Sequence, residues 1–357
     1  MPEDALPAAV EAELRSFFAS RRAQTERVDG HFAEAVRTLE SFVLRGGKRV
    51  RPRFAWWGWQ GAGGDPAGYS APGVLRICAA LELIQACALV HDDLMDSSAT
   101  RRGHPTVHTE FAARHHAAGW GGDPERFGLA AAVLLGDIAL AWADDMLRTA
   151  HLSPETTAGA LPYWEAMRTE MLGGQYLDVL TEVRGDESPE SALQIDRFKT
   201  AAYTVERPLH LGAGLAGATP RLIAAYSRFG QDIGVAFQLR DDLLGVFGDP
   251  AVTGKPAGDD LREGKRTLLV AHALRRADAT DPAGAALLRG ALGRELDEDT
   301  IDRLRLLLVE LGAVQEIEDT IEALTERGLA ALDTEVIAPV ARIELRQMAQ
   351  AVATRSS

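Results

Sequence analysis

The sequence predicts an all-α protein. Three observations carry that expectation: apolar residues recur at spacings of three and four, strand-like alternation is absent, and interruptions fall on clusters of glycine, proline and serine. In chain order, Gly61 to Gly73 interrupts the pattern before a periodic segment from Leu75 to Leu94. Gly119 to Pro124 then separates it from a second segment, Phe127 to Leu147. Ser153-Pro154 and Gly185 to Pro189 punctuate the middle, a third segment runs from Ala224 to Phe247, and Gly248 to Gly264 interrupts again. About ten or more helices joined by short loops follow from this punctuation. Inside the last interruption, the run Asp249 to Pro256 is too rich in Gly and Pro for helix, and its Lys255 is a candidate lid residue over a phosphate site.

A chain of 357 residues with 46% hydrophobic content can bury a large core, and no serine- or proline-rich linker divides it. One large helical domain is therefore expected, with a split near Gly217 as the alternative. The net charge of -14 argues against a nucleic-acid partner, because no basic stripe balances the acid. Lysines and arginines instead gather in short motifs that suggest local anion sites.

Cys78 and Cys87 would stand about 13 Å apart on one helix, beyond disulfide reach, and read as reduced core thiols of a cytoplasmic protein. The N-terminus lacks the basic flank and apolar run of a secretory signal, and no stretch is long and apolar enough to span a bilayer without charges.

Two aspartate-rich segments, about 150 residues apart, are the main chemical signal. The first reads Val90-His91-Asp92-Asp93-Leu94-Met95-Asp96, and the second reads Gln238-Leu239-Arg240-Asp241-Asp242-Leu243-Leu244-Gly245. Carboxylates this dense are costly in an apolar helix unless a cation neutralises them, and magnesium with a diphosphate is the candidate. Asp92 and Asp96, at i and i+4, point the same way one turn apart and can bridge two ions; Asp93 is rotated by about 100° and supports them. A solvated acidic face is the bland alternative. Against it stand the apolar run Ala86 to Val90 before the motif, Arg101 and Arg102 after it, and its recurrence. Near the start, Gly46-Gly47-Lys48-Arg49-Val50-Arg51-Pro52 offers two glycines for close backbone approach to an anion, a point charge and a bidentate fork. It is not a Walker loop, since the spacing and the Ser/Thr after the lysine are missing.

Taken in order, these motifs give the chain its resemblance to a family. Gly46 to Pro52, Asp92 to Asp96 with Arg101-Arg102-Gly103, Gly136-Asp137, Gly174 to Asp178, Lys199-Thr200-Ala201, Phe237-Gln238 with Asp241-Asp242, and Gly264-Lys265-Arg266-Thr267 all occur. So arranged, the chain resembles trans-polyprenyl (isoprenyl) diphosphate synthases, most of all bacterial geranylgeranyl diphosphate synthases, over roughly residues 30 to 350. The resemblance implies an isoprenoid synthase-type helical bundle around a central active-site cavity, with residues 1–29 as an N-terminal helical extension, residues 30–357 as the synthase domain, and a homodimer. It also implies the chemistry: an allylic diphosphate ionises, isopentenyl diphosphate attacks the carbocation, and proton loss yields an allylic diphosphate five carbons longer.

Residue by residue, the resemblance assigns Asp92 and Asp96 to two magnesium ions and Asp241 to a third. Arg101, Lys199 and Lys255 become ligands of the allylic diphosphate, with Lys265 behind them and Asp242 beside the substrate. Lys48, Arg51, Gln85 and Arg102 become the isopentenyl diphosphate site, while Thr200 and Gln238 line the carbocation. No side chain is an obvious general base, and the released diphosphate is expected to take the proton. One departure is Gly245, where the family usually carries a third aspartate. Lys255, Asp259, Asp260 and Lys265 keep the rest of that motif.

Product length follows from a ruler along the first acidic helix, each turn of about 5.4 Å admitting roughly one isoprene unit. Cys87 and Ala88, five and four residues before Asp92, form the first floor, where farnesyl-forming relatives commonly place an aromatic ring. Two small residues there predict passage beyond fifteen carbons, with Ile84 and Leu81 deeper and Trp142 as a plug. Geranylgeranyl diphosphate is the expected product, with farnesyl or longer diphosphates as alternatives. His91 reads as a hydrogen-bonded core histidine, His104 and His108 as surface or lid residues, and Trp56, Trp57 and Trp59 as core or subunit interface. Two rival functions are a class I terpene cyclase, which lacks a second diphosphate site, and a non-catalytic subunit of a heteromeric synthase. Lys48, Arg51 and Gln85 oppose the first; the persistence of Asp92, Asp93, Asp96, Asp241 and Asp242 opposes the second.

Overall fold

The computed structural model describes residues 5–248 and 258–353. Their arrangement is all-α apart from one two-residue ladder. In chain order the helices are α1 (Ala5–Val28), α2 (Gly30–Leu44), α3 (Val50–Gly61), α4 (Ala71–Met95), α5 (Val107–Ala118), α6 (Pro124–Arg148), α7 (Pro154–Arg184) and α8 (Pro189–Ile195). A π-helix (Asp196–Glu206) follows, then α9 (Arg207–Leu215), α10 (Pro220–Phe247), α11 (Asp259–Glu263), α12 (Leu268–Thr280), α13 (Pro282–Ala291), α14 (Glu298–Glu310), α15 (Ala313–Ala331) and α16 (Pro339–Ala353).

Local chemistry explains these boundaries. The side chains of Asp29, Asp123, Ser188, Thr267, Asp281 and Asp297 accept hydrogen bonds from first-turn amides of α2, α6, α8, α12, α13 and α14, satisfying donors that a helix start leaves open. Pro124, Pro189 and Pro282 occupy first positions, where a missing N–H costs nothing.

The chain divides into two compact units. One comprises Met1–Ala166, Arg207–Ile223 and Val336–Ala341; the other comprises Met167–Glu206, Ala224–Glu335 and Arg342–Ser357. In the first unit α4 is the central element, packed against α6, α1, α3 and α2, while α3 also packs on α9 and α5 on α6. Val74, Ile77, Leu81 and Ile84 of α4 are buried, as are Trp56, Trp57 and Trp59 of α3. In the second unit α12 packs on α13, α15 and α8, and α8 on the π-helix.

By length and hydropathy α4 and α6 are both long enough to cross a membrane, although Arg76, Glu82 and Asp137 lie within them. Burial explains α4, since 72% of its most apolar stretch is inside the chain. In α6 the share is 33%, and Leu129, Val133 and Leu134 are exposed.

Three features depart from the sequence-based expectation. The ladder β1 (Thr100–Arg101) and β2 (His104–Pro105) escapes a search for alternation because two residues cannot alternate. Its turn residues Arg102 and Gly103 have φ of 52° and 72°, as a tight two-residue hairpin requires. Helix α11 lies within the interruption expected from Gly248 to Gly264; Gly258 and Gly264, both left-handed, bound five residues too few to show periodicity. The π-helix has no compositional signature, and π segments concentrate at functional sites. Lys255 and Asp249 lie outside the described residues.

Candidate active site

Helix α4 ends in its acidic motif. Asp92 lies in the last turn, and Asp96 is the C-cap, its N–H donating to the Asp92 carbonyl at 2.9 Å. Both are half-buried, whereas Asp93 is completely buried. Three carboxylates thus gather at the negative end of a helix dipole, which calls for cations. Arg101, delivered by the hairpin, donates from Nε to Asp93 Oδ1 at 2.6 Å and from Nη2 to Asp92 Oδ2 at 3.2 Å. Burial pulls its pKa down, but Asp93, Asp92 and Asp96 outweigh that and hold the guanidinium above its ordinary value. Arg101 thus bridges two of the three aspartates directly.

The same unit carries the basic loop between α2 and α3. Gly46, Gly47 and Arg49 all have positive φ, of 95°, 135° and 48°. Lys48 is exposed and Arg51 half-buried, while Arg49 turns inward to only 5% exposure. Arg49 Nη1 donates to Glu82 Oε2 of α4 at 2.5 Å, and Nη2 donates to the Val43 carbonyl at 3.0 Å. Arg102 Nη1 donates to the Gly46 carbonyl at 3.1 Å. Burial, then Arg101, Arg49 and Arg51 lower the Arg102 pKa, against the pull of Glu82. Gln85 is half-buried one turn after Glu82.

In the second unit, the π-helix presents Lys199 and Thr200. Lys199 Nζ pairs with Asp178 Oδ2 at 2.6 Å, Thr200 Oγ1 donates to Gln238 Oε1 at 2.6 Å, and Gln238 Nε2 donates to Asp242 Oδ1 at 2.6 Å. Asp241 is exposed and Asp242 buried. Among the described residues, Asp242 Oδ2 and Asp196 Oδ2 are buried without a hydrogen-bond partner. Burial, with Asp196, Asp260 and Asp241 nearby, pushes Asp242 well above the carboxylate range despite the Gln238 amide. Asp196 is pushed to about 8 by burial and Asp178, with Lys199 opposing. Lys265 Nζ contacts Glu263 at 2.8 Å and Asp260 at 3.7 Å. A Cβ at Gly245 would fall 1.9 Å from Asp260 Oδ2, so this carboxylate fills the space beside the glycine.

These groups suit magnesium. Among the described residues no three His, Cys, Asp or Glu side chains form a complete metal cage. Magnesium needs none when water and phosphate complete its octahedron. The buried Asp242 oxygen without a hydrogen-bond partner and the three carboxylates gathered at the α4 end are consistent with a cation in each place.

Of the expected chain-length residues, Ile84 and Cys87 are buried and Ala88 is half-buried on α4. Cys87 Sγ lies 3.7 Å from His91 Nδ1, whose Nε2 meets the Val133 carbonyl at 3.2 Å, so His91 is a hydrogen-bonded packing residue. Burial and Asp137 push the Cys87 thiol up to about 12. Trp142 packs edge-on against Phe17 and Phe18 of α1, with centroids 5.8 and 6.0 Å away. Gly136 and Gly174 are close-approach positions, where a Cβ would come within 2.1 Å of His91 and 2.2 Å of the Lys199 backbone.

Sequence reasoning overlooked Arg49, Glu82, Asp178 and Asp196 as individual site residues. Glu82 had a signal, being a lone acid in an apolar helix, and Asp196 stands three residues before Lys199. Arg49 had none, because its inward turn depends on a left-handed backbone.

Comparison with known proteins agrees with this chemistry. Residues 33–305 match the profile of the family described as Polyprenyl synthetase. A solved geranylgeranyl pyrophosphate synthase from Corynebacterium glutamicum, complexed with isoprenyl diphosphate and magnesium, superposes with a TM-score of 0.96 at 48% identity, covering 99% of this chain and 100% of that one. A geranylfarnesyl diphosphate synthase from Aeropyrum pernix is 33% identical over 80% of this chain and 83% of its own. A geranylgeranyl diphosphate synthase from Mycobacterium tuberculosis is 33% identical over 82% and 77%. The chain belongs to the polyprenyl synthetase family.

Proposed function

We propose that this enzyme condenses isopentenyl diphosphate with an allylic diphosphate and releases mainly geranylgeranyl diphosphate. One observation supports the reading: one unit carries two chemically different clusters, carboxylates at the end of α4 that would take a diphosphate through metal and a basic loop at Gly46 to Arg51 that would take one directly. A cyclase ionising a single diphosphate needs only the first, and a non-catalytic subunit needs neither.

Magnesium, about three ions per site by family resemblance, would supply charge neutralisation and Lewis acidity to the departing diphosphate. Asp92, Asp96 and Asp241 would hold it. Arg101, Lys199 and Lys265 would grip the allylic diphosphate, with Lys255 completing that set, and their charges favour the leaving group as the carbon–oxygen bond lengthens. Lys48, Arg51, Arg102 and Gln85 would orient isopentenyl diphosphate. The hydrogen-bonded pair Thr200 and Gln238 offers the carbocation oxygen dipoles without a free nucleophile. The apolar side chains of α4 would exclude water from the cation, and the proton lost at the end passes to the released diphosphate.

Small residues at Cys87 and Ala88 support a tail longer than fifteen carbons. The exposed leucine and valine side chains of α6 support a homodimer in which a second copy covers Leu129, Val133 and Leu134.

Incubation with isopentenyl diphosphate and each of dimethylallyl, geranyl and farnesyl diphosphates, with and without magnesium, tests the reading. A magnesium-dependent C20 product is expected. A dominant C15 product would refute the open floor, and turnover of geranylgeranyl diphosphate without isopentenyl diphosphate would favour a cyclase.

A further inference from the structure

We propose that the buried pair Arg49–Glu82 is the device that positions the isopentenyl diphosphate site. The inference rests on the reading of Lys48 and Arg51 as ligands of that diphosphate. The loop's backbone is unusual: Gly46, Gly47 and Arg49 are all left-handed, and Arg49 is not a glycine. Such a conformation persists only where surrounding contacts hold it. Arg49 supplies them, one terminal nitrogen on Glu82 of α4 and the other on the carbonyl of Val43 near the end of α2. Its inward turn leaves Lys48 exposed and Arg51 half-buried on either side.

Glu82 has a second effect. Arg101, Arg49 and Arg51 all repel Arg102, and Glu82 opposes them there. Its Oε1 is buried without a hydrogen-bond partner among the described residues, so the carboxylate is retained at a desolvation cost that packing alone does not explain. Glu82 also stands one turn before Gln85, so the helix that carries one expected ligand anchors the loop that carries two others. Arg49 and Glu82 are positioning residues that act through Lys48, Arg51 and Arg102.

The test compares wild type with Glu82→Gln, Arg49→Met/Glu82→Met, Lys48→Ala and Arg51→Ala. Isopentenyl diphosphate binding is measured by calorimetry without metal, and KM is measured separately for each substrate. Glu82→Gln preserves shape and removes the charge; the double variant replaces a buried ion pair with apolar volume that folded proteins tolerate. Both are expected to raise KM for isopentenyl diphosphate, and weaken its metal-free binding, by about tenfold or more, with KM for the allylic substrate unchanged within about twofold. A purely structural pair would shift both substrates or only the melting temperature. Wild-type isopentenyl diphosphate affinity in both pair variants, with Lys48→Ala weakened, overturns the positioning role and leaves the site standing. Unchanged affinity in Lys48→Ala and Arg51→Ala removes the site, and the inference with it.

Discussion

The carboxylate of Asp260 occupies the space that a side chain at Gly245 would need, with Oδ2 only 1.9 Å from where its Cβ would be. The second acidic motif therefore does not end in a gap. An acidic group from α11 stands beside the position where a third aspartate would follow Asp241 and Asp242, and it also approaches Lys265.

Gly245→Ala tests this relationship. On an unconstrained helix the change would stabilise by about 1 kcal/mol, but here the methyl must displace Asp260. We expect a melting temperature near wild type and turnover lowered by about tenfold or more, as for other disturbances of groups behind a metal ligand. Gly245→Asp should fare no better, because the longer side chain meets the same carboxylate. A Gly245→Asp enzyme faster than wild type would show that the glycine is a lost ligand.

Asp196 gives a pH prediction for the metal-free protein. Its folded pKa is about 8, raised from an ordinary 3.8 by burial and Asp178 against the pull of Lys199. The folded state therefore holds a proton that the unfolded chain releases. Its contribution is fully present below pH 3.8 and is lost as pH rises through about 8. Urea midpoints should fall between pH 5 and pH 8, and Asp196→Asn should flatten that slope. An identical slope in the variant would assign the effect to other groups, Asp242 first.

Arg101 gives a prediction that separates stability from catalysis. Asp93 is fully buried, and its 2.6 Å bond to Arg101 Nε is a charge-assisted contact. Arg101→Met would leave that carboxylate without its guanidinium, at a cost of about 3 kcal/mol. Adding Asp93→Asn removes the buried charge itself, so chemical denaturation should show most of the stability restored. Turnover should stay low in both variants, because Arg101 also contacts Asp92.

Much of this was legible in the sequence because the signals were long or dense. Periodic segments located α4, α6 and most of α10 to within a few residues, and Asp92 to Asp96 announced itself by three carboxylates in an apolar helix. What escaped depends on backbone states without periodicity. The π-helix at Asp196–Glu206, the left-handed Arg49 and the two-residue ladder at Arg101 are each too short or too irregular in backbone to leave a hydrophobic period. Gly245 is a further case, where a deletion in the motif is intelligible only once Asp260 is seen beside it.

Product length is the remaining prediction. Ala88 is half-buried one turn before Asp92, and Ile84 and Leu81 are fully buried deeper along α4. A phenyl ring at position 88 would fill the first floor, so Ala88→Phe should shorten the main product from C20 to C15, with isopentenyl diphosphate KM little changed. Farther along, Trp142 is held edge-on by Phe17 and Phe18, and Arg21 stacks over Phe17 at 4.8 Å. If this brace closes the end of the path, Trp142→Ala should release C25 and longer chains, and Phe17→Ala should do so more weakly by letting the indole tilt. Chromatography of radiolabelled products distinguishes these outcomes. An Ala88→Phe enzyme that still makes mainly C20 would place the growing tail on another face of the helix.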